Sequence, residues 1–250
     1  MSKFDVRDRR PDAGEVVRRL EEFRQRRGYL LPHQGAMAAA LPDLQDEYGV
    51  IYKILTLDLH HLTAFEREFV WLSLLICAEE HVGTHHVKLF FETGGTQAQA
   101  DIAVRVAAWS KGGSAFSFID QHWQPYFPEC EAAQSYLRAF DALVDHHRHV
   151  DQGLALLALS ACHAAFGNKW PLEVVLTACY ACAVDEVKIA ETLSLVLWPC
   201  GMNKFLDASG VWLALMRSGR VRPSAPFQAW ADAAGQDGMA VDPEALVRKP

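Results

Sequence analysis

Between Glu79 and His86 the chain reads EEHVGTHH, three histidines and two glutamates in eight residues, directly after the apolar run FVWLSLLICA. Imidazoles and carboxylates this close support two chemistries. A histidine, whose ordinary pKa lies near neutrality, can take and return a proton while a carboxylate orients it. His81 and His85 also stand four residues apart, which suits a zinc or iron site completed by Glu79 or Glu80, provided one helix runs through Gly83. Gly83 is expected to break that helix, with Thr84 as N-cap of a new one that starts at His85 and closes at Gly94-Gly95. His85 and His86 then occupy a first turn, where free amides and the helix dipole favour an anion. A substrate carboxylate docks there while a histidine exchanges the proton. Glu68 supports that histidine, and His85, His86, His81, Glu79 and Thr84 surround the pocket. Arg67 is a second anchor for the carboxylate.

The elements that must position these groups read as helices, because period-two alternation is almost absent. The fold class is all-α. Val16, Val17, Leu20 and Phe23 mark one surface helix, and Leu44, Tyr48, Ile51 and Leu55 form the apolar face of another after Pro42. Phe69–Ala78 is apolar all round and ends a buried helix that begins near Ala64. Thr96 and Gln99 have capping-box spacing, so a further helix is expected from Gln97 to just before Gly112.

An internal repeat organises the chain. WSKGGSAF (Trp109–Phe116) returns as WPCGMNKF (Trp198–Phe205), each Trp, Gly and Phe displaced by 89 residues. At that offset Thr96 falls on Asp185, cap on cap. The chemistry does not return: Glu68 becomes Leu157, Glu79 Asn168, His81 Trp170, His85 Val174 and His86 Val175. This predicts two tandem helical repeats about a pseudo-twofold axis, with one site per chain, in the first copy. The expected division is 1–125 for the N-terminal helices and first repeat, 126–220 for the degenerate second repeat, and 221–250 for a C-terminal tail without sustained period. Phe227 and Trp230 would anchor that tail on the body or on a neighbouring subunit.

The run AFEREFVWLSLLICAEEHVGTHHVKLFFETGGTQAQADIAV resembles the carboxymuconolactone decarboxylase and alkylhydroperoxidase D superfamily, carried by Arg67, Glu68, His86, Gly94 and Thr96 in the family's order. The resemblance implies paired helical repeats, assembly as a homotrimer, and action on a small carboxylated, possibly lactone, intermediate of aromatic-compound catabolism. It implies no cofactor; the alternative is a divalent metal on His81, His85 and Glu80. The peroxidase branch carries Cys-x-x-Cys seven and four residues before the histidine, where this chain has Glu79 and Val82. Its one Cys-x-x-Cys, Cys179 and Cys182, lies in an apolar helix and is read as buried and structural, with a thiol peroxidase-like pair as the alternative. A non-catalytic oligomeric binding protein remains a third reading.

Composition bounds these readings. Half of the 250 residues are hydrophobic, enough for a substantial core, and the net charge of −7 offers no basic field for a phosphate backbone. No nucleic-acid partner is expected. The charged N-terminus lacks an apolar signal region, and the longest apolar run is about half of a membrane span's roughly 20 residues. Cytoplasmic residence, no membrane partner and six reduced cysteines are therefore expected. DHHRHVD (Asp145–Asp151) reads as a solvated helix face.

Overall fold

The computed structural model describes residues 10–236, which form helices and connecting turns with no strand among them. It divides into two compact units, 1–58 and 59–250. That cut follows contact, whereas the boundaries at 125 and 220 follow sequence similarity.

The first unit comprises α1 (Ala13–Arg27), α2 (Pro32–Ala40) and α3 (Pro42–Tyr52). Asp12 accepts from the Glu15 amide at the start of α1, and Gly28 closes it at φ 79°. Proline opens both α2 and α3, where its missing N–H costs nothing. The expected face of α3 is corrected here. Leu44 and Ile51 are exposed, while Gln45 and Tyr52 are buried. The helix turns because Arg27 stacks on the Tyr52 ring at 3.7 Å and Arg19 donates to Gln45 and Asp46.

The second unit continues with α4 (Ala64–Ala78), α5 (Thr84–Glu92), α6 (Gln97–Lys111), α7 (Gly113–Phe118) and α8 (Ala132–Leu143). It ends with α9 (Gln152–Phe166), α10 (Lys169–Ala181), α11 (Glu186–Leu195), α12 (Leu197–Cys200), α13 (Met202–Arg217) and α14 (Ala225–Asp232). Helices α4 and α9 cross at the centre. Phe69, Val70, Trp71 and Leu74 on one side and Ala155, Ala158, Leu159 and Ala161 on the other are fully buried. α5 and α6 flank α4, while α10, α11 and α13 flank α9. Thr63 and Glu66 form a reciprocal capping box at the start of α4, and Glu191 of α11 accepts the amides of His61 and Leu62 just before it. Thr96 and Gln99 cap α6 in the same reciprocal way.

The tail expectation is also corrected. Residues 225–232 form α14, whose Phe227 and Trp230 rings lie 5.1 and 5.3 Å from Trp212 of α13. Pro226 pre-sets the first turn, and Ser224 N–H donates to Glu186. The anchor is on the body of the same chain. The part of the expected tail at 237–250 lies outside the described residues.

Candidate functional site

Glu68 enters one turn after the α4 cap and is fully buried, and His86 lies in the first turn of α5 with 3% of its surface exposed. Sterics bring these two helix starts together. Gly83 lies so close to α4 that a Cβ would stand 2.6 Å from Leu75, and a Cβ at Gly95 would meet the Phe90 carbonyl at 2.6 Å. Glycine at both ends therefore lets α5 lie against α4, with Phe90 fully buried as its apolar anchor. The turn itself is tied by Glu80, whose Oε1 accepts the Val82 amide at 2.7 Å.

His86 Nδ1 lies 2.7 Å from Glu68 Oε2. Arg67 donates Nε and Nη2 to Glu68 Oε1 at 3.2 and 3.1 Å. All three side chains are buried, and a carboxylate between a guanidinium and an imidazole satisfies the rule that interior charge is paired. Because Glu68 accepts from Arg67, it also accepts the Nδ1 proton, which leaves Nε2 as the basic nitrogen. Nε2 makes no hydrogen bond within the described chain and is not among its sealed, unpartnered polar atoms. Trp71 stacks on the His86 ring at 4.7 Å and 25°, and the His85 ring stands 4.2 Å away. This geometry can hold a histidine as a proton acceptor with a fixed tautomer.

Helix α5 begins at Thr84, with Gly83 as its cap residue and no side-chain cap, so the expected Thr84 cap is off by one position. The His86 amide donates to Gly83 O at 2.9 Å and is not available to an anion. Arg67 directs Nε and Nη2 at Glu68. Glu79, His81 and Thr84 do share a space, a cavity of about 340 Å³ floored by Leu72, Leu75, Ile76 and Val87. Among the described residues neither His86 nor Glu68 lines it, and no arginine or lysine does. Two further cavities of this unit, about 350 and 390 Å³, lie around α9 and α10.

The spacing argument for a metal depended on one helix through Gly83. That helix ends at Ala78, where Glu79 adopts a left-handed φ of 57°, and His81 lies in the following turn. Among the described residues no three His, Cys, Asp or Glu side chains are grouped as metal ligands. Cys179 is buried in α10 and its thiol is pushed far up by desolvation. Cys182 is exposed at the C-cap of α10, not buried as expected, because the helix ends at Ala181. Its thiol is also raised, by partial burial and by the carboxylates of Asp141 and Asp151. Neither is poised as a nucleophile. At Asp145–Asp151 the expected helix face is a left-handed turn, with Asp145, His146 and His147 all at positive φ and His147 2.9 Å from Asp141.

One buried pair escaped the sequence reading. His163 of α9 is fully buried with Nε2 2.6 Å from the Tyr136 hydroxyl, and desolvation lowers its pKa to about 3. A lone histidine inside LALLALSACHAAF was the available signal. No helix among the described residues is long and apolar enough to cross a membrane. Comparison of the chain with protein-family models, curated proteins and solved structures gives no match.

Proposed function

We propose that the chain is a carboxymuconolactone decarboxylase-like enzyme that needs no cofactor, in which His86 Nε2 exchanges a proton with the substrate and Glu68 holds His86 in the reactive tautomer. The observation that carries this reading is the buried 2.7 Å contact between His86 Nδ1 and Glu68, with Nε2 left unpartnered. A histidine serving only the core would have both nitrogens satisfied or sealed. For a carboxylated lactone, departing carbon dioxide leaves its electron pair delocalised into the lactone carbonyl; His86, protonated at Nε2 by solvent, gives that proton to carbon and is left as the neutral base. Docking of the substrate carboxylate is assigned to the start of α5, which has no side-chain cap. The substrate class rests on the resemblance carried by Arg67, Glu68, His86, Gly94 and Thr96.

The same reading includes two tandem copies. It is supported by α4 and α9 starting 88 residues apart, by the caps Thr96 and Asp185, and by positive φ at both Gly94 and Ala183. Cys162 Sγ also lies 3.5 Å from the carbonyl of Ser73, its own counterpart at offset 89, as a local twofold between α4 and α9 requires. The homotrimer and its cytoplasmic location rest on the resemblance; exposed Phe118, Trp123, Tyr126 and Phe127 offer an aromatic edge suited to a subunit contact. The test is turnover of a panel of carboxylated five-membered lactones, followed by NMR. His86→Ala should abolish it while sedimentation shows unchanged assembly; full turnover by that variant removes His86 from the reaction.

A further inference from the structure

The described chain holds few buried polar side-chain atoms without a partner, and one of them is Nε1 of Trp71. Its side chain is fully buried, and leaving such a donor unpaired costs about 1–3 kcal/mol. Trp109 Nε1 and His163 Nδ1 share that condition, but both flank Tyr136 in a separate cluster. Trp71 instead lies flat against His86, the proposed base. At offset 89 its counterpart is Ser160, whose hydroxyl donates to the Leu157 carbonyl at 2.7 Å. The copy without the Glu68–His86 pair is thus satisfied at this position, and the copy with it is not.

We propose that Trp71 is the hydrogen-bond donor of the site, its Nε1–H receiving the substrate oxygen on which negative charge develops while His86 handles the proton. The inference rests on the proton-transfer reading above and names the substrate class more closely: a carbonyl compound, lactone or ester, that passes through an enolate. In the balanced step His86 Nε2 takes a proton from the carbon next to the carbonyl, the C–H electron pair moves into the C=O bond, and the oxygen becomes an enolate. Return of the proton to carbon restores the neutral carbonyl and the free base. A donor aimed at that oxygen stabilises the charged state more than the neutral one, which is the condition for lowering the barrier. Trp71 Nε1 is sealed from solvent, so admitting an oxygen beside it requires the first turn of α5 to give. That turn is held at its start by the Glu80–Val82 and Gly83–His86 contacts.

The experiment titrates the full-length protein, ¹⁵N-labelled in tryptophan and histidine side chains, with 2-furoate, a planar anion the size of a lactone enolate. Trp71→Phe, which keeps an aromatic ring against His86, assigns the Trp71 resonance. The expected result is movement of both the Trp71 indole N–H and the His86 ring signals, with 2-furoate binding weakened about 10- to 100-fold in Trp71→Phe. Movement of His86 alone, with equal affinity in Trp71→Phe, overturns the role of Trp71 and leaves the His86 reading standing. Movement of neither overturns both.

Discussion

Helices α4 and α5 carry a buried arginine, glutamate and histidine, whereas α9 and α10 carry Leu156, Leu157 and Val175 at the sequence offset of 89. Both pairs of helices are buried in the same core, and both hold a positive φ where the second helix ends, at Gly94 and Ala183. Under the proposed two-copy reading, the polar trio is an addition that one half of the unit carries at a desolvation cost.

The largest expected effect comes from breaking the trio at one point. Glu68→Leu installs the residue of the second half but strands Arg67 and His86 in the interior, and should cost about 3–5 kcal/mol in urea unfolding. Converting all three, as Arg67→Leu, Glu68→Leu and His86→Val, should recover most of that loss, since apolar replacement of a whole buried ion pair is often neutral or stabilising. A triple variant as unstable as Glu68→Leu would mean that the trio organises the fold.

Gly95→Ala comes next. Its counterpart is Val184, so a side chain is tolerated in one half, yet at Gly95 a Cβ would stand 2.5 Å from the Phe90 ring. About 1–3 kcal/mol of destabilisation is expected from thermal or urea melts.

A pH series sharpens the contrast between the two buried histidines. His163 titrates near 3 in the folded chain because of burial, against about 6.5 when unfolded. Its depressed pKa means that the unfolded chain binds the extra proton first. Stability should be intact above about pH 6.5 and fall by up to about 1.4 kcal/mol per unit as pH drops toward 3. Tyr136→Phe with His163→Leu removes both partners, and the difference between its acid limb and that of the parent isolates this contribution. Smallest of all is Glu79→Ala. Glu79 is exposed and paired only with Lys111, so its melting curve should match the parent's.

Much of this contrast was legible in the sequence because caps and steric glycines are local signals. The α4 start near Ala64 and the Thr96–Gln99 box follow from residue types at short spacing, whereas Glu68 and His86, 18 residues apart, are paired through the family resemblance. What was not legible depends on tertiary partners. Arg67 reads as a carboxylate anchor until it is seen to be folded back on Glu68, and the α3 face turns because Arg27 stacks on Tyr52. Glu79, His81 and Thr84 are close to His86 in sequence, but they line a cavity that His86 does not. Tyr136 and His163 are 27 residues apart, and no local pattern joins them.

The central claim is that Glu68 fixes the proton of His86 on Nδ1 and leaves Nε2 as the base. Long-range ¹⁵N–¹H correlation of the imidazole at neutral to alkaline pH reads that directly. The account expects a protonated Nδ1 and an unprotonated Nε2 in the parent protein, and a loosened tautomer preference in Glu68→Gln. A proton found on Nε2, unchanged by Glu68→Gln, would contradict it.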